Sequence, residues 1–276
     1  MLDFEIVARG LFLPAQLEIC YDPALTMPMT PALRVWIEAL WQEKLVQARQ
    51  RNVPLYDAPL FRYVEATTTA DHTLKLMLGD TGYKEYVTTR QPEFAAQRAR
   101  QELGNALSVC SVVETSDEHI LLDKREGVDV YEGRFHVIGG FFERGLDTTA
   151  EARPDPFAAA SREIHEETGV QSADIRQQYC LGVVYDLLTP HAELCFLTQL
   201  RIPLATVLAR TPLDREIKQL RSLAVTAESL RAFILANHGN ISATGEPNLL
   251  MYGAWKFGEA WFEDVMEQIS GSPPLD

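Results

Sequence analysis

The chain contains no run of about eighteen apolar residues, so no helical membrane span is expected. Its first stretch, MLDFEIVARG, lacks the basic start and apolar block of a secretory leader. Basic residues are few: 25 Lys and Arg stand against 39 Asp and Glu, for a net charge of -14. That balance disfavours nucleic acid as a partner, because a phosphate backbone needs a basic footprint. A phosphorylated small molecule stays open, provided a divalent cation or a local Arg/Lys group screens its phosphates. Cysteine is sparse, and Cys20, Cys110, Cys180 and Cys195 form no C-x-x-C pair. Neither a zinc ribbon nor a disulfide framework fits that spacing, and buried reduced thiols in a cytoplasmic protein are expected. Repeats and low-complexity tracts are missing too. What remains is an ordinary globular composition, 46% apolar and 23% charged, over 276 residues. That length is enough for one large core or two modest ones.

Two units follow from the pattern of elements. In the first, residues 1–104, FEIVARGLFL and QLEICYD alternate as strands do. Thr30-Pro31 supplies a cap and first-turn proline for a helix over 32–50, with Leu33, Trp36, Ile37, Leu40 and Trp41 at helical spacing. LFRYVEATT and TLKLML predict two more strands, and PEFAAQRARQEL a short connecting helix. In the second unit, residues 105–276, strands are predicted at ALSVCSVVE, HILLDKRE and RFHVIGGFFE, the last running into a Gly-Gly turn. A loop over 144–156 and a helix over 157–168 come next. Strands near 173–186, 192–201 and LRSLAVT follow, with helices at 227–237 and 248–266. The fold class expected is α+β: an α/β/α sandwich with a smaller N-terminal α+β domain.

The helix over 157–168 gathers charge in an unusual way. Residues three and four apart are neighbours on a helix, so Glu163 stands beside Glu166 and Glu167. Phe157, Ala160, Ile164 and Thr168 form a separate, mostly apolar stripe. A solvated face usually mixes signs, because like charges at that spacing cost roughly a few tenths of a kcal/mol. Here they also sit near a helix C-terminus, where the macrodipole disfavours anions. A bound cation offsets both effects, and three hard oxygen donors suit Mg²⁺ or Mn²⁺. His165 points away from that edge and reads as a satisfied histidine.

The run REIHEETGV, with the glycines of VIGG before it, is similar to the signature of the Nudix hydrolases. That resemblance implies hydrolysis of a nucleoside diphosphate linked to another group, with Mg²⁺ or Mn²⁺. It implies Glu163, Glu166 and Glu167 as metal ligands and Gly140 as a backbone-carbonyl ligand. Arg162 would orient the glutamates through a salt bridge. A late acid often serves as general base in that family, and Glu216 occupies a comparable position; it equally fits a surface charge on a short helix.

The match is imperfect before the helix. Gly140 and Arg162 lie 22 residues apart (162 minus 140), about eight more than the family motif has. The motif's early Glu falls on Leu146 counting forward and on Pro154 counting back. Glu143, Asp147, Glu151 and Asp155 are the substitutes at hand. The insertion is either a tolerated loop, since length costs little, or a wall of the substrate pocket.

In the first unit, Asp57-Ala58-Pro59, Phe61-Arg62 and Leu78–Tyr86 resemble the N-terminal region of the Nudix type that cleaves UDP-glucose and UDP-galactose. That type has a motif degenerate at Arg and Glu positions that are intact here. The resemblance implies release of UMP and hexose 1-phosphate. It offers Tyr83, Tyr86 and Arg90 as substrate contacts, although tyrosines three apart also simply pack, and Arg62 as structural. A hydrolase of ADP-ribose or another nucleotide, and a non-catalytic nucleotide-binding module, are the alternatives. The four-cysteine zinc site of NADH-type relatives is lacking, and the metal glutamates that binding modules lose are present.

Overall fold

A computed structural model gives the architecture and describes residues 2–126, 130–213 and 220–271. Chain order runs β1 (Phe4–Phe12), β2 (Leu17–Tyr21), α1 (Pro31–Arg51), β3 (Pro59–Thr68), β4 (Leu74–Gly82), α2 (Tyr83–Thr89) and α3 (Pro92–Ala95). Then come β5 (Leu107–Glu114), β6 (His119–Lys124), β7 (Phe135–His136), β8 (Ile138–Phe141) and α4 (Pro156–Thr168). The rest comprises β9 (Ile175–Asp186), β10 (His191–Leu200), α5 (Leu204–Leu208), β11 (Leu220–Ala224), α6 (Ala227–Asn237), α7 (Gly245–Phe257) and α8 (Glu259–Gly271). The class is α+β.

Two sheets organise these elements. The large one runs β1-β9-β10-β5-β6-β11, with β8 also on β5 and β7 on β6. Among the described strands only β10 and β5 are parallel within it. The small one runs β2-β4-β3. β5 is buried along its whole length, which matches its near-continuous apolar run and requires cover on both faces. On one face Cys110 and Val112 pack with Leu230, Leu250 and Val265 of α6, α7 and α8. On the other, Leu107 and Val109 meet Ala159 and Ala160 of α4 and Phe61, Tyr63, Leu76 and Leu78 of the small sheet. The small sheet and α4 therefore cover the same side.

Several expectations need revision. β1, which the sequence groups with the first unit, pairs antiparallel with β9 of the large sheet. The helix expected over 248–266 is two helices, broken at Gly258, whose φ of 94° a residue with a side chain rarely adopts. PEFAAQRARQEL forms only the single turn α3 before a short 3₁₀ turn, while the helix α2 was not foreseen. The Gly-Gly turn is strand: Gly139 and Gly140 lie inside β8, paired with Cys110 and Val109. Cys110, Cys180 and Cys195 are buried free thiols, but Cys20 is exposed.

Candidate functional site

The site grows from the start of α4. Asp155 accepts a bond from the Ala158 amide at 3.0 Å, Pro156 fills the first turn, and Gly169 ends the helix. With those ends fixed, the apolar stripe buries Ala160, Ile164 and Thr168. The next stripe carries the carboxylates, which are more enclosed than a surface edge. Glu163 is 8% exposed and Glu167 7%, and Glu166 is half-buried.

Strand β8 runs beneath them. The Gly139 amide donates to Glu167 Oε2 at 3.2 Å. A Cβ on Gly140 would stand 2.6 Å from Glu163 Oε1, and one on Gly139 would stand 2.2 Å from the Val109 carbonyl. Glycine at both positions lets the glutamates and β5 close on this strand.

Arg162 is the centre of charge. Its Nε and Nη2 donate to the two oxygens of Asp147, each at 2.8 Å. Nη1 donates to Glu166 Oε2 at 2.9 Å and lies 2.9 Å from Glu163 Oε1. Nη2 also donates to the Phe141 carbonyl at 3.1 Å. Burial alone would lower the guanidinium pKa, but Asp147, Glu163 and Glu166 outweigh it and hold the group firmly charged. Glu143 lies in the same field: burial pushes its carboxyl up, Arg162 pulls it down, and Asp147 and Glu166 push it up again.

Of the four acids offered by the extra loop, Asp147 is the one whose carboxylate bonds Arg162. It is 2% exposed, one residue past the position the motif count reaches, and its carboxylate is also bonded by the Glu143 amide at 2.8 Å. The loop itself folds back as a small hairpin, with Thr148 bridged to Pro154 and the Thr149 amide bonded to the Arg153 carbonyl. The sequence offers Asp147 only as one of four acids and gives no sign of the Gly139 amide. The nearest signal was the acid one place from Leu146.

The other expected residues fall as follows. Tyr86 and Arg90 are buried together; Arg90 Nη1 donates to Tyr86 Oη at 2.8 Å. Tyr83 is half-buried, and both tyrosine rings stand edge-on to Phe141 at 5.5 Å. These three form a wall behind the residue that follows Gly140. Arg62 is structural, donating to the Gln101 and Leu103 carbonyls. His165 is satisfied by the Val170 carbonyl and Gln171. Glu216 lies outside the described residues.

The donor set suits a hard divalent ion, being carboxylate oxygens with a glycine strand beside them. The carboxylates do not form a closed cage: among the described residues no group of three His, Cys, Asp or Glu has metal-holding geometry. Glu163 and Glu166 instead share Arg162, and an ion there would share them with it. A cavity of about 280 Å³ lined by Glu114, Gln199 and Lys256 contains none of these residues.

No protein-family model matches the chain, and no curated protein sequence does. Solved structures with related shape are a bifunctional NMN adenylyltransferase/ADP ribose pyrophosphatase from Francisella tularensis, complexed with AMP and a Mn ion, a NUDIX hydrolase from Nitrosomonas europaea, and a C. elegans Ap4A hydrolase. Their identities are 15%, 19% and 16%, and their TM-scores 0.39, 0.40 and 0.36. They cover 56%, 55% and 55% of this chain. The chain spans 42% of the Francisella protein, 90% of the Nitrosomonas protein and 99% of the C. elegans one.

Proposed function

We propose that this chain is a Mg²⁺- or Mn²⁺-dependent hydrolase of the Nudix type. Its substrate in this reading is a nucleoside diphosphate linked to a sugar, UDP-glucose or UDP-galactose, cleaved to UMP and hexose 1-phosphate. The observation that carries it is the arrangement around Arg162: one guanidinium fixes Asp147, Glu163 and Glu166, while the glycine strand bonds Glu167. Three acids from α4 and one from the loop before it converge on this one place.

When bound, a divalent cation supplies neutralisation of the diphosphate and polarisation of phosphorus. Glu163, Glu166 and Glu167 are the residues that would hold it, with the Gly140 carbonyl as a backbone donor. The chain's own part is preorganisation. Arg162 holds two carboxylates at fixed positions, so they do not repel one another out of place. The Gly139 amide orients the third. The proton taken from the attacking water goes to a carboxylate base; Glu216 is the residue the sequence offers. Tyr83 keeps surface toward solvent and is the better substrate contact of the three, with the Tyr86 ring packed against it and Arg90 bonded to Tyr86.

UDP-glucose, ADP-ribose, NADH and dinucleoside polyphosphates, compared with product identification and with each metal, test the reading. UDP-hexose should be turned over with the highest kcat/KM and yield UMP. Preference for ADP-ribose would reject the UDP-sugar assignment while leaving the hydrolase.

A further inference from the structure

Loop residue Arg144 connects the site to the small sheet through each of its four nitrogens. Its amide bonds the Pro59 carbonyl at 2.9 Å and its Nε the Leu60 carbonyl at 3.1 Å. Nη1 pairs with Asp80 Oδ2 at 2.8 Å, and Nη2 reaches the Thr81 carbonyl at 3.4 Å. Asp80 is itself fixed by Tyr21 Oη at 2.6 Å. Two residues earlier, the Phe142 carbonyl accepts the Phe61 amide at 3.1 Å, and the Phe61 and Phe142 rings lie 4.4 Å apart. Residues 142–144 therefore run alongside β3, with Glu143 bridged to Leu60.

Glu143 sits between these two anchors, and its amide is the group that bonds Asp147 Oδ2. Its carbonyl also accepts the Asp147 amide at 2.9 Å. The carboxylate that grips Arg162 is thus oriented by backbone that β3 and β4 hold in place. An insertion of this length would otherwise leave Asp147 free to swing, since a longer loop is only weakly restrained by its ends.

We infer that Arg144 is a positioning residue: through Asp80 and the β3 and β4 carbonyls it makes the small sheet part of the apparatus that holds Arg162 and its glutamates. This rests on the metal-dependent reading above. The fork geometry explains why an arginine is used, because a lysine could keep the Asp80 pair but not the two carbonyls.

Calorimetric titration with Mn²⁺ alone, on the full chain, tests it. Arg144→Gln should weaken Mn²⁺ binding on the order of tenfold, with Arg144→Lys in between. Combined with Asp147→Asn, it should add little to the loss from Asp147→Asn alone, because both act through the same grip. If Arg144→Gln does not fold, Asp80→Asn, which keeps the volume, gives the same readings. Multiplying losses in the double variant, or unchanged Mn²⁺ affinity in a folded single variant, would overturn the proposal. Glu167→Gln serves as the control: if it binds Mn²⁺ as well as the parent, the metal reading itself fails, whatever Arg144 does.

Discussion

Asp147 holds Arg162 by both carboxylate oxygens, 2.8 Å to Nε and 2.8 Å to Nη2, across a separation of fifteen residues in the chain. Such two-pronged pairs are strong because both bonds are charge-assisted and their geometry is fixed. With Asp147 buried, losing it leaves a half-buried guanidinium with fewer partners. Asp147→Asn should cost on the order of 3 kcal/mol of stability and about tenfold to a hundredfold in activity. Urea unfolding and steady-state kinetics check the two effects, and a variant with native stability and turnover would remove Asp147 from the account.

The two glycines of β8 should fail differently. Gly139→Ala places a Cβ 2.2 Å from the Val109 carbonyl, and backbone within a paired sheet cannot give way. It should lose about 1–3 kcal/mol or more. Gly140→Ala meets the far end of the Glu163 side chain instead, which can move. It should stay nearer the parent in stability and lose activity, because the moved atoms are the candidate ligand. Thermal melts beside activity assays separate these, and equal stability losses would contradict the geometry.

How much of this was legible in the sequence differs by range. α4 was legible because Phe157, Ala160, Ile164 and Thr168 recur at helical spacing; the Asp155 cap and first-turn Pro156 that start it emerge only in the structure. The grouping of Glu163, Glu166 and Glu167 follows from helical spacing alone. Their enclosure does not, since it depends on β8 lying beneath them and on a Gly139 amide reaching Glu167. Asp147 was obscured because motif counting assumes a loop length. Its actual position is set by pairing of 142–144 with β3, over eighty residues earlier in the chain. β1 reads as a strand by alternation, but nothing local says that its partner is β9. The break between α7 and α8 had a local signal in Gly258 that the apolar pattern across it outweighed.

Acid stability offers a test away from the site. Glu193 is buried beside His136, whose Nε2 lies 3.7 Å away and whose Nδ1 is 2.6 Å from Ser242 Oγ. Burial alone would raise the Glu193 pKa, but His136, with His191 and Thr244, pulls it from its ordinary 4.5 down to about 2. A depressed carboxyl stabilises the fold above its unfolded value, and that contribution is lost as pH falls through the folded value. Stability should therefore decline between pH 4.5 and about 2. In Glu193→Gln that decline should be shallower by up to about 1.4 kcal/mol per pH unit. Denaturant unfolding across that range reads the slope, and parallel profiles would count against the depressed Glu193 carboxyl.

The carboxylates gathered around Arg162 are proposed as a metal-dependent hydrolytic site. The most direct test compares the parent and Glu167→Gln for product release from UDP-glucose, with and without Mg²⁺ or Mn²⁺, alongside circular dichroism. Turnover by the parent is expected only with metal, and the variant should lose at least about a hundredfold with an unchanged spectrum and melting temperature. Turnover by Glu167→Gln equal to that of the parent would contradict it.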